Sequence, residues 1–452
     1  FYKRLHLEGF APEMHTTVFA LQACGILADS DEGVMANGHL VKEMGLEIGK
    51  QLHVDICKKG CTSDLFVSTA LLVMYSKFGI LLEAENVFMS LTERDIACWN
   101  AMLSVYIYHG QGAMALKLYR QMQGEGVNPN CSTFIISLQA CSNLVEKGED
   151  CIFEEVSSQI SPLDIVYALH VDALRKGYAS NVQFCNTLVS VYGKCNAIEE
   201  AEKVFCGLSQ HTIVAWTALI SAYVDICEGT NALMLYQQMQ ERNVSPNELT
   251  FIAALQACIS LVDMSEEEYL VKEMNVKDIL KEIVNALYAD ADKKGYTSCT
   301  PVATTFVRAY SKCGCIEEAE HMLVSFPATN VDLHDIALSL YISNGQGNKA
   351  LQLYSHMVKK LARVSYITVL YMLQACSEMG QLDTCLQLHS YAVCGGYDSV
   401  LSLSTSLIHA YGSFASMSDA HAIFDIIPSP QLSMWTSCIA GYARAGNSLL
   451  TL

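Results

Sequence analysis

The chain predicts an all-α fold, an α-solenoid of tandem helical hairpins, on three observations. The tetrapeptide Leu-Gln-Ala-Cys returns at 21–24, 138–141, 255–258 and 373–376, at intervals of 117, 117 and 118 residues. Between these anchors, shorter segments repeat with apolar residues three and four apart, the spacing of one helical face. Only 8 prolines occur in 452 residues, and 51% of side chains are hydrophobic, so helices are rarely broken and a core can run through the stack. Each unit of such an array buries its apolar face only against its neighbours, which is why the period is regular.

Anchor residues divide the chain into units in order. Residues 1–13 read as the tail of one unit and 432–452 as the head of another. Leu-Gln-Ala-Cys units occupy 14–64, 131–181, 248–299 and 366–400. Short units of 31 residues occupy 65–95, 182–212, 300–330 and 401–431, aligned on Thr-Ala-Leu-Leu-Val-Met-Tyr-Ser-Lys (69–77) and its counterparts. A third class of 35 residues occupies 96–130, 213–247 and 331–365, marked by Trp-Asn-Ala-Met-Leu (99–103) and Trp-Thr-Ala-Leu-Ile (216–220). An unbroken period argues for one array rather than the roughly three domains that length alone suggests.

Two helices per unit follow from the pattern. In 65–88, Leu71, Leu72 and Tyr75, then Leu81, Ala84, Val87 and Phe88, keep helical spacing on either side of Gly79. The same break holds Gly110, Asn196, Gly314, Gly345 and Gly446, residue types that tolerate the left-handed conformation ending a helix. Second helices stop before Gly126-Val127-Asn128-Pro129 and Asn243-Val244-Ser245-Pro246, where proline prevents continuation.

Nineteen cysteines include no Cys-x-x-Cys pair, and Cys24, Cys141, Cys258 and Cys376 fall at equivalent helical places. They read as buried reduced thiols acting as small core residues, which implies a reducing compartment. No charge-free run of 18 apolar residues occurs, so a soluble chain is expected.

These segments resemble the pentatricopeptide repeat family, and the alternation of three unit classes resembles its plant organellar PLS subclass. The resemblance rests on Tyr192-Gly193-Lys194-Cys195 with Ile198-Glu199-Glu200-Ala201-Glu202-Lys203-Val204-Phe205, on Tyr310-Ser311-Lys312-Cys313-Gly314, on Gly49-Lys50-Gln51-Leu52-His53 and on Trp99-Asn100-Ala101-Met102. It covers essentially the whole chain. It implies a right-handed superhelix with first helices on the concave side. It also implies binding of single-stranded RNA at about one nucleotide per repeat, the base being chosen by the fifth and last residues of each unit.

Carried onto this chain, Thr69 with Asp95 implies G, and Asn100 with Asn130 a pyrimidine with C favoured. Asn186 with Thr212 implies a pyrimidine, and Thr217 with Asn247, like Thr304 with Asn330, implies A. Asp335 with Ser365 departs from the pattern, Thr405 with Gln431 implies a purine, and Thr436 has no last residue within the chain. Val18, Ile135, Ile252 and Leu370 hold the fifth place of the Leu-Gln-Ala-Cys units, where an aliphatic side chain offers no hydrogen bond to a base edge. Asn and Thr near a helix start also serve as caps. Their recurrence at the fifth place in two unit classes, with aliphatics in the third, exceeds what capping demands.

Lys77, Lys194 and Lys312 stand eight residues after Thr69, Asn186 and Thr304. Eight residues turn through about 800°, leaving each lysine about 80° from the same face, within reach of RNA phosphates. A charge favoured by the helix macrodipole is the alternative. The formal charge of −19 opposes nucleic-acid binding. Part of it gathers in the stretches that lengthen three units: Asp29, Asp31 and Glu32; Glu146, Glu149, Asp150, Glu154 and Glu155; Asp263, Glu266, Glu267 and Glu268. Acidic loops on the outer surface would leave the concave face free. Tyr269–Met274 and Leu40–Met44 read as parts of lengthened hairpins, the alternative being extra helical turns that dock a partner.

His53, His170 and His389 recur once per long period, with Tyr288 at the remaining place, too far apart in a solenoid to share a metal. They read as packing residues, and no metal or other cofactor is expected. No zinc deaminase signature, phosphate-binding glycine loop or nucleophile arrangement occurs, so the chain is expected not to catalyse. The resemblance implies the recognition array of an organellar C-to-U RNA-editing factor in mitochondrion or plastid. Its deaminase would lie in a C-terminal extension or come from a partner, with editing-complex proteins alongside. An acidic helical-repeat scaffold for protein–protein interaction is the alternative.

Overall fold

The computed structural model describes residues 13–28, 35–36, 39–61, 64–148, 151–152, 159–264, 270–271, 274–324, 331–359, 364–397, 400–427 and 430–446. Residues 1–12, at the chain start, lie outside them. Two compact units are present, one of residues 1–226 with 241–244, the other of 227–240 with 245–452. Each unit is a stack of antiparallel helical hairpins, an α-solenoid.

In the first unit the hairpins are Met14–Ala28 with Val41–Lys58, Leu65–Lys77 with Leu81–Ser90, Ile96–Tyr108 with Gly112–Gly124, Cys131–Lys147 with Pro162–Arg175, and Val182–Lys194 with Ile198–Cys206, followed by Ile213–Asp225. The second unit opens on Gly229–Glu241. It continues with Glu248–Met264 and Val276–Lys293, Thr300–Lys312 and Ile316–Val324, Val331–Ser343 and Gly347–Lys359, Tyr366–Met379 and Leu382–Cys394, Leu401–Ser413 and Met417–Ile426, and Leu432–Arg444. Within each unit, a first helix packs on its own second helix and on the first helices before and after it.

The turn between the two helices takes the left-handed conformation that the sequence suggests. Gly79, Gly110, Asn196, Gly314, Gly345 and Gly446 all have φ between 60° and 77°. Cys227 (φ 62°) and Ala415 (φ 59°) occupy the equivalent places without being residue types suited to them. A side chain with a Cβ is strained there.

The recurring tetrapeptide has a packing reason. Leu138, Ala140 and Cys141 are fully buried, as are Leu255, Ala257 and Cys258, whereas Gln139 and Gln256 face solvent. A Cβ added to Gly112 would lie 2.5 Å from the Ala140 carbonyl oxygen, and one added to Gly229 would lie 2.7 Å from that of Ala257. Second helix and following first helix thus approach backbone to backbone, which only glycine against a small residue permits.

Side chains clasp neighbouring hairpins with the same period. Trp99 stands edge-on to Phe88 at 5.1 Å, Trp216 to Phe205 at 4.8 Å and Trp435 to Phe424 at 4.6 Å. The recurrent histidines pack, as expected: Tyr75, Tyr192 and Tyr411 hydroxyls lie 2.8, 2.9 and 2.8 Å from Nδ1 of His53, His170 and His389. Where Tyr288 replaces histidine, Tyr310 donates to Asn285 instead, at 2.9 Å. Burial holds all three histidines below their ordinary value of 6.5, against the opposing pull of Glu83, Glu200 and Asp419. Cys24, Cys141, Cys258 and Cys376 are buried free thiols. Burial raises Cys258 and Cys376 to about 12.

The long units depart from a plain helical hairpin. Met35–Ala36 pairs with His39–Leu40, Cys151–Ile152 with Gln159–Ile160, and Leu270–Val271 with Met274–Asn275, each an antiparallel ladder of two residues per strand. Leu40, Leu270, Val271 and Met274 therefore stand in short strands where lengthened helical hairpins were expected, whereas residues 41–44 open the helix Val41–Lys58; Tyr269, Lys272 and Glu273 lie outside the described residues. Alternating apolar residues too few to establish a period of two left no strand signal.

Gly112→Ala should lower stability by about 1–3 kcal/mol in urea denaturation, because backbone must move to admit the methyl group. Gly124→Ala, with open space around the added Cβ, should not. Ala415→Gly should raise stability by about 0.5–1 kcal/mol through relief of the left-handed strain, less the entropy glycine adds to the unfolded chain. Since the folded histidines bind protons less readily than the unfolded ones, stability should fall as pH drops through about 6.5. A His53→Asn, His170→Asn, His389→Asn variant should show a flatter urea midpoint between about pH 7.5 and about pH 5.5.

Candidate functional site

Every first helix begins with backbone N–H groups that its own ladder cannot satisfy. At most joints the residue just before the helix caps them. Asp95 accepts from the Cys98 N–H at 2.9 Å, Asn130 from that of Thr133 at 2.9 Å, and Thr212 from that of Ala215 at 3.2 Å. Asn247 accepts from the Thr250 N–H at 3.0 Å and Ser365 from that of Thr368 at 2.9 Å. Gln431 stands at the same place before Leu432–Arg444, exposed and without a side-chain cap bond.

The capping residues meet the fifth residues of the segments they end. Asn100 Nδ2 donates to Asn130 Oδ1 at 3.3 Å. The Thr212 hydroxyl donates to Asn186 Oδ1 at 3.2 Å, and the Ser365 hydroxyl to Asp335 Oδ2 at 2.6 Å. Thr69 and Asp95 line one cavity of about 580 Å³ with Val18 and Lys77. Thr217 lies nearly buried on Ile213–Asp225, and Asn247 caps Glu248–Met264; the two belong to different compact units. Asn330 lies outside the described residues.

Threonines at the fifth place share a second habit. Thr69, Thr304, Thr405 and Thr436 donate their hydroxyl protons to the carbonyls of Leu65, Thr300, Leu401 and Leu432, at 2.7 to 2.8 Å. With the proton spent within the helix, each presents lone pairs to an incoming group. Among the aliphatic counterparts, Ile135 is buried and Val18, Ile252 and Leu370 are partly exposed.

A second cavity, of about 930 Å³, lies along Thr300–Lys312, Val331–Ser343 and Tyr366–Met379. Thr304, Arg308, Lys312, Asp335 and Tyr371 line it. Arg308, one turn beyond Thr304, brings a planar five-donor cation that the sequence reading passed over, because the short units have no common residue at that place.

The lysines have partners that sequence reading placed elsewhere. Lys194 Nζ lies 2.5 Å from Glu146 Oε1, and Lys312 Nζ 2.6 Å from Asp263 Oδ1. Glu146 and Asp263 lie in the last turns of Cys131–Lys147 and Glu248–Met264, first helices extended beyond the usual length. These two carboxylates are therefore not in loops away from the lysines, which corrects the expectation for them. Asp29, Asp31, Glu32, Glu149, Asp150, Glu154, Glu155, Glu266, Glu267 and Glu268 lie outside the described residues.

Among the described residues, no group of three or more His, Cys, Asp or Glu side chains could hold a metal ion. No described helix is long and apolar enough to cross a membrane.

Comparison with known proteins places this arrangement. A model of the PPR repeat family matches residues 94–143 and 211–260, and a model of the PPR repeat matches 184–211, 302–325 and 336–360. A pentatricopeptide repeat-containing protein of Arabidopsis thaliana is 25% identical over 415 residues, 91% of this chain and 55% of its own length. Two others from that plant are similar, a chloroplastic one 24% identical over 99% of this chain and 49% of its own, and a mitochondrial one 26% identical over 98% and 61%. The chain spans about half the length of these relatives. The crystal structure of the pentatricopeptide repeat protein PPR10 in complex with an 18-nt psaJ RNA element superposes with a TM-score of 0.59 at 16% identity, over 99% of this chain and 69% of that one. With PPR repeats matched in each compact unit, the chain carries repeats of the pentatricopeptide repeat family.

Proposed function

We propose that this chain binds single-stranded RNA sequence-specifically, about one base per repeat, through the residues at its hairpin joints. The observation carrying this reading is that fifth and last residues, 26 to 30 positions apart in sequence, come within hydrogen-bond distance at Asn100–Asn130, Asn186–Thr212 and Asp335–Ser365. Polar side chains meeting at the edge of a stack of first helices are placed to meet one base edge each. The choice of residue then chooses the base: Asp95 offers only acceptors, which suits the adjacent donors of guanine, whereas Asn247 offers both a donor and an acceptor, as adenine requires.

Thr69, Asp95, Asn100, Asn130, Asn186, Thr212, Thr217, Asn247, Thr304, Asn330, Thr405 and Thr436 are the base-reading residues in this proposal. Lys77, Lys194 and Lys312 contact phosphates. For Lys194 and Lys312 that contact requires exchange of Glu146 and Asp263 for the RNA backbone. The alternation of unit classes supports a PLS-type array, and the names of the chloroplastic and mitochondrial relatives support an organellar location. The process served is RNA processing in the organelle, C-to-U editing foremost, with catalysis supplied elsewhere.

Fluorescence anisotropy with an RNA carrying G-Y-N-Y-A-N-A, aligned to residues 65–330, should show affinity at least about tenfold above a scrambled RNA, the value of one or two discriminating hydrogen-bond sets. Equal affinities would sink the proposal. Thr217→Asn should move preference at its nucleotide from A toward a pyrimidine. Glu146→Gln with Asp263→Asn should strengthen binding about two- to fivefold at low salt and steepen its salt dependence, since two lysines no longer need to change partners.

A further inference from the structure

Threonine holds the third place of every Leu-Gln-Ala-Cys unit, at Thr16, Thr133, Thr250 and Thr368. The short units have Val67, Phe184, Val302 and Leu403 there, and the tryptophan-type units Cys98, Ala215 and Leu333. Thr133, Thr250 and Thr368 are wholly removed from solvent. A hydroxyl so placed needs a partner.

At the first joint the partner is the fifth residue of the unit before. Thr133 Oγ1 donates to Asn100 Oδ1 at 2.7 Å. Asn130 Oδ1 takes the Thr133 N–H at 2.9 Å and one N–H of Asn100 at 3.3 Å. Both amide oxygens are thus turned into the joint; Asn130 Oδ1 is fully used, and the capacity left over is three N–H, one on Asn100 and two on Asn130, against a single lone pair of Asn100 Oδ1. At the Asp335 joint the polarity is reversed. The hydroxyls of Ser365 and Thr368 donate to Oδ2 and Oδ1 of Asp335, so no donor remains and only lone pairs are left over.

We propose that this threonine is a positioning residue that sets the hydrogen-bond polarity of the reading pair in the preceding unit. The proposal rests on the RNA reading above. A donor-rich pair at Asn100 and Asn130 favours cytosine, whose N3 and O2 are adjacent acceptors, over uracil, whose N3–H comes between O4 and O2. An acceptor-only pair at Asp335 and Ser365 favours guanine, whose N1–H and N2 amino group are adjacent donors, at a unit for which the residue pattern assigns no base. Arg308 lines the cavity beside Asp335 and offsets its charge toward a polyanion. The Leu-Gln-Ala-Cys unit, with an aliphatic fifth residue of its own, then contributes to recognition through the unit before it.

Equilibrium binding of RNAs differing only at the nucleotide facing 96–130 tests the first arm, with G against A at the nucleotide facing 65–95 as an internal control. Wild type and Thr133→Ser should prefer C to U. Thr133→Val should lose about three- to tenfold of that ratio, the equivalent of one buried hydrogen bond, with the control ratio unchanged. An unaltered C-to-U ratio in Thr133→Val, or equal losses at both nucleotides, would overturn the proposal. Should Thr133→Val lack the wild-type circular dichroism, the second arm decides with unaltered protein: preference for G at the nucleotide facing 331–365 supports the inference, and indifference there overturns it. Wild type that shows no preference even at the control nucleotide would instead sink the RNA reading itself.

Discussion

Free N–H groups at the start of each first helix are the constraint from which the rest of the site follows. They must be bonded, and the residue best placed to do so is the last one of the preceding segment. Capping pins that residue at the joint, beside the side chain one turn into the helix before. A structural need shared by any stack of helices thereby brings together two side chains distant in sequence. Capping and base reading are consequently not rival explanations of Asn130 or Thr212, because the cap bond uses one oxygen and leaves the other groups of an amide, or the remaining lone pair of a hydroxyl, for further bonds.

The helical architecture was legible because its determinants are local. Period, apolar spacing and left-handed turn residues lie within a few positions of one another, and Gly79, Asn196 and Gly314 behave as their residue types suggest. Ala415 adopts the same turn without an intrinsic preference for it, since packing of the flanking helices Leu401–Ser413 and Met417–Ile426 overrides one unfavourable residue. The paired-residue pattern was visible as recurrence, but hydrogen bonds between Asn100, Asn130 and Thr133 span about one repeat, and nothing local in the sequence announces them. Threonine at the third place carried a signal in its 117-residue recurrence; being buried and common, it resembles an ordinary core residue until its partners are located.

Electrostatics were the least legible part. Charge counting places the carboxylates but not their distances, and a one-turn extension of a first helix is enough to carry Glu146 or Asp263 from an expected loop to a lysine on the next first helix. Both pairs are roughly half exposed. Their strength is therefore modest and sensitive to salt, so they can be exchanged. A net negative chain in which carboxylates occupy lysines differs from one whose surface merely repels polyanions.

The buried thiols have a practical consequence. Cys141, Cys258 and Cys376 sit in successive long periods at one place in the packing, while Cys57, Cys206 and Cys394 are exposed. A thiol-specific alkylating reagent will modify the exposed group at once and reach the buried one only when its own hairpin opens. Labelling rates followed by mass spectrometry would resolve the array into separately breathing segments, with no probe needing to be engineered into the protein.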